Sequence, residues 1–185
     1  MKEIVPGIFH IPSVSEPLSS DVFIVEGEKR FYVFDVGTGD AAYEAVAGLD
    51  KPATVILSHF RQDHTGNMTR LSPVEVLCGA RTRKHLGQGT PVENVTEISD
   101  GVLIRVQPCV SPHAPGCLIM TVNDACTFLG DLCYARPGTG QGEAKGMYRV
   151  LKGMKTEYFI QSHRTEDLLQ EKETVLREIK DYFGI

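Results

Sequence analysis

Four short apolar runs in this chain end in a polar step that carries an acid or a histidine. Phe31-Tyr32-Val33-Phe34 runs into Asp35, Val55-Ile56-Leu57 into Ser58-His59, Phe128-Leu129-Gly130 into Asp131, and Phe159-Ile160 into Gln161-Ser162-His163. Apolar runs of this length bounded by turn residues read as buried strands. A titratable group at a strand end is held in a more fixed direction than one on a free loop. The chain is therefore expected to place its chemistry on a sheet framework.

The rest of the chain supplies that framework. Asp21 to Glu26 and Arg30 to Asp35 flank Gly27-Glu28-Lys29 as a β-hairpin, and a short helix from Thr38 to Leu49 follows, with Asp40 as its N-cap. Thr54 to Ser58, Val74 to Cys78, Val102 to Pro108, Cys117 to Val122, Ala125 to Leu129 and Glu157 to Gln161 read as strands, with Asn123-Asp124 turning one hairpin. Gly142 to Met154 reads as a helix. Thr165 to Phe183 reads as an amphipathic helix with Thr165 as N-cap, Glu166 and Asp167 in its first turn, and Leu169, Leu176, Ile179 and Phe183 on one stripe. Lys84 to Thr96 is the longest irregular stretch, a candidate loop beside the site. Hairpins with interspersed helices, lacking strict βαβ alternation, predict an α/β fold of two mixed sheets with helices on the outside. The 185 residues fit one domain, 1–185.

The segment Ser58-His59-Phe60-Arg61-Gln62-Asp63-His64-Thr65-Gly66-Asn67 concentrates two imidazoles and a carboxylate just beyond a buried strand. Neutral imidazole nitrogen and carboxylate oxygen are donors for zinc, iron or manganese. This segment resembles the H-x-H-x-D-H signature of the metallo-β-lactamase superfamily, with one substitution. Ser111-Pro112-His113-Ala114-Pro115-Gly116, Phe128-Leu129-Gly130-Asp131 and Phe159-Ile160-Gln161-Ser162-His163 are similar to that family's next three ligand segments. Phe34-Asp35-Val36-Gly37 resembles its Asp-x-Gly turn, which supports the metal loop from behind. The resemblance implies a four-layer αββα sandwich. Its implied metal ligands are His59, Asp63, His64, His113, Asp131 and His163, holding one or two ions per chain, zinc first and iron or manganese as alternatives.

Arg61 occupies the place where the family pattern has its second histidine. A guanidinium has no lone pair to offer a metal, so the first position keeps only His59, His113 and a share of Asp131. The second keeps Asp63, His64, Asp131 and His163. An inward Arg61 about 5 Å from a divalent ion, at an effective dielectric of roughly 20, would cost on the order of 6 kcal/mol. The favoured reading is one metal in the second position with Arg61 standing in for the other. An outward Arg61 beside a weak first position is the alternative, as is a relic site in which it pairs with Asp131 or Asp63.

Resemblance implies a metal-dependent hydrolase of an ester, thioester, lactone or phosphoester, with Asp63 orienting the attacking water and Arg61 lending positive charge. The competing reading is a non-catalytic or regulatory binding protein on the same fold, which Arg61 favours. Redox chemistry at iron ranks third. A net charge of −5 provides no basic field for nucleic acid. No stretch approaches the ~18 apolar residues of a membrane span, and the N-terminus has no apolar signal core, so a cytoplasmic protein acting on a small-molecule substrate is expected. Five cysteines without a C-x-x-C pair suggest neither a disulfide framework nor a thiolate zinc site. Gly138-Thr139-Gly140-Gln141-Gly142 with Lys145 lacks phosphate-loop spacing. His10 and His85 are expected to be surface or structural groups, and Arg81, Arg83, Lys84 and His85 a solvated basic turn.

Overall fold

A computed structural model describes residues 1–71, 75–136, 138–164 and 167–185. From the N-terminus, β1 (Lys2–Val5) and β2 (Ile8–Ile11) lead into a small hairpin of β3 (Val14–Ser15) and β4 (Leu18–Ser19). Next come β5 (Val22–Glu26), β6 (Phe31–Phe34), β7 (Ala53–Ile56), β8 (Glu75–Cys78) and β9 (Thr90–Pro91). They are interleaved with α1 (Asp40–Ala47), α2 (Gln62–Thr65) and α3 (Ala80–Leu86). The first sheet has seven strands in the order β1-β2-β5-β6-β7-β8-β9. The second is built from β10 (Thr96–Ser99), β11 (Leu103–Cys109), β12 (Cys117–Val122), β13 (Cys126–Gly130), β14 (Tyr158–Gln161) and β15 (Gln170–Glu171), in that order. α4 (Gln141–Gly153) crosses between β13 and β14, and α5 (Lys172–Phe183) follows β15.

Both sheets are mixed. β5 and β6 pair antiparallel as a hairpin, whereas β6, β7 and β8 run parallel. In the second sheet β12 and β13 are antiparallel, and β13 and β14 are parallel across the α4 crossover. Asn123 and Asp124 turn the β12–β13 hairpin with φ of 53° and 55°, the pair of left-handed conformations that a type I′ turn demands and that these two residue types tolerate.

The apolar runs are continuous because both faces of each sheet are covered. Phe23, Phe34 and Ile56 face the second sheet, where Leu118, Met120, Phe128 and Ile160 meet them. Phe128 lies at the middle of this layer, with its ring centroid 4.9 Å from Phe23 and 5.7 Å from Phe34. The intervening residues Val22, Ile24 and Val33 point the other way and pack with Ala42 and Val46 of α1. On the far side, Ile119, Leu129 and Phe159 receive Met147 and Leu151 of α4 and Val175, Ile179 and Phe183 of α5. The result is the four-layer αββα sandwich. Among the described residues no helix is long and apolar enough to cross a membrane.

Several boundaries differ from expectation. α1 is capped by Gly39, while Asp40 sits inside the first turn and pairs with Arg70 at 2.8 Å. The end of α3 and β9 take up part of the stretch expected to be irregular, and β1, β2 and β10 arise where no strand was expected. The C-terminal helix is shorter than its apolar stripe implied. Gln170 and Glu171 pair with Phe159 and Tyr158 as an edge strand, and Leu169 packs into the layer between the sheets. The expected N-cap Thr165, the first-turn residue Glu166 and the strand start Val74 lie outside the described residues.

Phe128→Ala removes the aromatic ring at the meeting of the two sheets and should lower unfolding stability by about 3–5 kcal/mol, read from a urea denaturation midpoint. Val14→Ala on the exposed β3 should change it by less than about 0.5 kcal/mol. Similar losses from both would mean the intersheet layer does not carry the fold's stability.

Candidate metal centre

The donors arrive from the C-terminal ends of parallel strands in both sheets. β7 ends at Ile56, and the chain continues through buried Leu57 and Ser58 to His59 before α2 delivers Asp63 and His64. In the second sheet, parallel pairing of β13 with β14 brings Asp131 and His163 to one edge. His113 stands on the loop between β11 and β12. The sheets are joined here by Leu118 N–H donating to the Ser58 carbonyl at 2.8 Å.

Two donor groups result, Asp63, His64, Asp131 and His163 in one and His59, His113 and Asp131 in the other. His64 Nε2 lies 3.3 Å from Asp131 Oδ1 and 3.6 Å from Asp63 Oδ2. His163 Nε2 lies 3.4 Å from Asp63 Oδ2 and 3.6 Å from Asp131 Oδ1. Ligands at 2.0–2.2 Å around a tetrahedral ion are separated from one another by about 3.3–3.6 Å, which matches these four distances. The other oxygen of Asp131, Oδ2, is 3.5 Å from His113 Nε2, which is in turn 3.2 Å from His59 Nε2. The single carboxylate thus offers one oxygen to each group.

Hydrogen bonds set the imidazole tautomers. His64 Nδ1–H donates to Asp35 Oδ2 at 2.7 Å, and His113 Nδ1–H donates to the Tyr134 carbonyl at 3.1 Å. Ser58 Oγ–H donates to Asp35 Oδ2 at 2.7 Å, which leaves the Ser58 Oγ lone pairs to accept from His59 Nδ1–H at 2.9 Å. Each ring therefore turns Nε2 toward the cluster, the arrangement that metal-bound histidines use. His64 Nε2 and Asp131 Oδ1 are buried without a hydrogen-bond partner. Orphaned buried donors of these types are what a cation would satisfy, so the residues fit a divalent metal.

The electrostatics agree. Burial would raise the carboxyl of Asp131, yet the imidazole of His64 beside it, with its positive charge, holds it below the usual range. Asp63 is held at about 2, where the His163 hydrogen bond and the charge of His64 outweigh burial. Burial opposes charge on His64, but Asp35 and Asp131 lift it to about 10. The Asp63 hydrogen bond likewise raises His163 against its burial. Burial dominates at His59, pushing it down to about 3, and it lowers His113 with help from Arg61. The four-donor group thus attracts positive charge, which a bound cation would supply in place of the proton on His64, while burial keeps His59 neutral.

Several supporting residues were not singled out in the sequence. Ser58 is the hinge of the network, since its N–H also donates to Asp35 Oδ1 at 2.8 Å. Gly130 has φ +57° and packs so tightly on Ser58 that a Cβ would come within 2.7 Å of the Ser58 Cβ. Asp21, fully buried, accepts the His163 N–H at 2.6 Å and pairs with His10 Nε2 at 2.6 Å, holding His163 in its left-handed conformation of φ 62°. His10 is thus a buried structural group. His85 is exposed and stacks on Phe60 at 4.2 Å.

Asp35 supports the cluster from behind, as the resemblance implied. Arg61 departs from the favoured inward reading. Its side chain is exposed and forms no ion pair with Asp63 or Asp131 among the described residues. It lines an open cavity of about 570 Å³ with His113, Tyr134 and Arg136. Residue 61 stands at the N-terminus of α2, with its side chain exposed on the wall of the cavity that His113 also lines.

No protein-family model matches the sequence, and no curated protein matches it. Solved structures do. The flavodiiron protein from Giardia intestinalis superposes with a TM-score of 0.75 at 13% identity, over 98% of this chain and 59% of that one. An archaeal metallo-β-lactamase superfamily protein from Sulfolobus tokodaii gives 0.70 at 19% identity, over 95% and 85%. A Cronobacter sakazakii metallo-β-lactamase with a HARLDQ motif gives 0.73 at 13% identity, over 97% and 85%. The chain spans about half to three-fifths of the length of the flavodiiron proteins it matches. This protein has the metallo-β-lactamase fold.

Asp35→Asn keeps the side-chain volume but turns an amide NH₂ or a neutral oxygen toward His64 and Ser58. Metal affinity, measured by competition with a chromophoric chelator, should fall about 10–100-fold. An unchanged affinity would show that Asp35 does not set the orientation of His64.

Proposed function

We propose that this chain is a metal-dependent hydrolase of an ester, thioester, lactone or phosphoester bond in a small-molecule substrate. The observation that carries the reading is a four-donor group closed on one side and open on the other. The His64 side chain is fully buried, while those of Asp63 and His163 are 14% and 24% exposed. Catalytic metal sites keep an open position where structural ones are closed. His113 lines the cavity of about 570 Å³, a volume within the range of small-molecule sites, so a substrate seated there lies against the centre.

Asp63, His64, Asp131 and His163 would hold the principal metal, and His59, His113 and Asp131 a weaker one. A divalent ion held by these residues would bring the pKa of its water from 15.7 down to about 7 and polarise a carbonyl or phosphoryl oxygen. Asp63, kept ionised by His163 and His64, orients the attacking water and takes its proton. Arg61 supplies fixed positive charge at the cavity wall. A donor set of nitrogen and oxygen without thiolate suits zinc, iron or manganese, and zinc suits hydrolysis without redox change. The HARLDQ motif of the Cronobacter metallo-β-lactamase has arginine in third place, as this chain has Arg61, so arginine at this place occurs elsewhere on this fold. The flavodiiron likenesses favour a second reading, redox chemistry at iron.

Elemental analysis of protein purified without added metal, together with a screen against generic esters, thioesters, lactones and phosphodiesters, tests the proposal. Asp63→Ala, His64→Ala or His163→Ala should remove most of the metal, and Asp63→Ala should lower kcat/KM by at least about a hundredfold. His59→Ala should remove little. A metal-loaded wild type that cleaves nothing in the screen would point to a binding module, and equal metal loss from His59→Ala would overturn the ranking of the two groups.

Arg61→His adds a fourth donor to the three-donor group and should raise metal content from about one toward two ions per chain. A wild type already carrying two ions, or a variant that still binds one, would show that residue 61 does not limit occupancy.

A further inference from the structure

What sets Arg61 and Arg136 apart from the other exposed arginines is the cavity they share with His113; Arg81, Arg83 and Arg149, like them, make no ion pair among the described residues. Arg30, Arg70, Arg105 and Arg164 each pair with a carboxylate, of Glu75, Asp40, Glu97 and Asp124, and Glu178 respectively. Neither Arg61 nor Arg136 makes an ion pair or a side-chain hydrogen bond among the described residues, although the chain carries an excess of acidic groups. Both line the cavity that reaches His113, and no acidic side chain is among the described residues lining it. A guanidinium is charged at every physiological pH, so this wall is a place of fixed positive charge in a protein of net charge −5.

Both backbones are anchored. The Arg61 carbonyl accepts the N–H groups of His64 and Thr65 and the Thr65 hydroxyl, each at 3.1 Å, which ties residue 61 to α2. The Arg136 carbonyl accepts the Thr139 N–H at 3.1 Å and the Thr139 hydroxyl at 2.7 Å, closing a turn. Tyr134 lines the same cavity. Its hydroxyl donates to the Ser162 carbonyl at 2.8 Å, and its own carbonyl orients His113. Planar donor forks on anchored backbone match the oxygens of carboxylate and phosphate groups.

We infer that Arg61 and Arg136 form the recognition subsite for an oxyanion, a carboxylate or phosphate group carried by the substrate, seated on the His113 side of the centre. The inference rests on the hydrolase reading for calling the ligand a substrate, and on the cavity alone for the anion. It defines the substrate class as an anionic small molecule and assigns Arg61 to binding rather than to the place of a metal ligand. Because the subsite is open to solvent, its affinity depends on ionic strength.

The test is calorimetric titration of the metal-loaded protein with inorganic phosphate and, separately, with succinate. Wild type, Arg61→Ala, Arg136→Ala and the double variant are compared, with metal content measured on each sample. Each single substitution should weaken binding about tenfold and the pair about a hundredfold, with metal content unchanged. Added salt should weaken binding to the wild type and leave the double variant nearly unaffected. The anion that binds the wild type more tightly identifies phosphate or carboxylate as the matched group. Failure of the wild type to bind either anion, or binding by the double variant as tight as wild type, overturns the subsite. If no hydrolysis is detected but binding still depends on the two arginines, the subsite stands and the hydrolase reading falls.

Discussion

A single buried carboxylate organises this centre. Asp35 stands just past the end of β6 in a left-handed conformation of φ 59° and accepts three hydrogen bonds, from Ser58 N–H, Ser58 Oγ–H and His64 Nδ1–H. An ionised group with no solvent exposure costs several kcal/mol unless its lone pairs are met, and here both oxygens are engaged. The network locks the turn after β7 to the end of β6 and aims His64 Nε2 at Asp131. Through Ser58 it also sets His59. The directions of His59 and His64 thus follow from one acid whose contacts are on the Nδ1 side, away from the donor atoms.

The centre is assembled across the boundary between the sheets. Asp131 comes from the second sheet and must reach donors carried by the first, so the two strand ends have to approach closely. Gly130 permits that approach, because any side chain there would collide with Ser58. On the opposite flank, Asp21 of the first sheet's N-terminal half holds the backbone of His163 from across the sandwich. A cation in the cluster would therefore bind to both halves of the fold, and its binding energy would add to their cohesion.

The departure at residue 61 has a structural meaning once the side chain is located. An inward guanidinium would have competed with a metal for Asp131. The exposed guanidinium instead joins Arg136 on the cavity wall, leaving two donor groups of unequal size, four on one side of Asp131 and three on the other. The asymmetry ranks the groups by donor count, and the loss of one ligand becomes a gain of positive charge where a substrate would enter.

Much of this was legible locally. Asp35, His59, Asp63, His64, His113, Asp131 and His163 could be picked out because each ends an apolar run or sits in a short motif, and the alternation of hairpins and helices implied two sheets between helical layers. That information is carried by neighbours within a few residues, which is the range over which strand ends and turns are specified. Other features had no local mark. Asp21 looks like any polar residue bounding a hairpin, and its bond to His163 spans 142 positions. Leu169 fits a helical stripe by spacing, yet packs between the sheets because pairing with β14 holds Gln170 and Glu171 in an edge strand. The exposure of Arg61 and its place in one cavity with Arg136 depend on how α2 and the loop after β13 come together. The sequence by itself determined which residue types could serve as donors and that strands would carry them. Only the tertiary structure decided which of them share a cluster and which way Arg61 points, because those outcomes depend on packing between segments far apart in the chain.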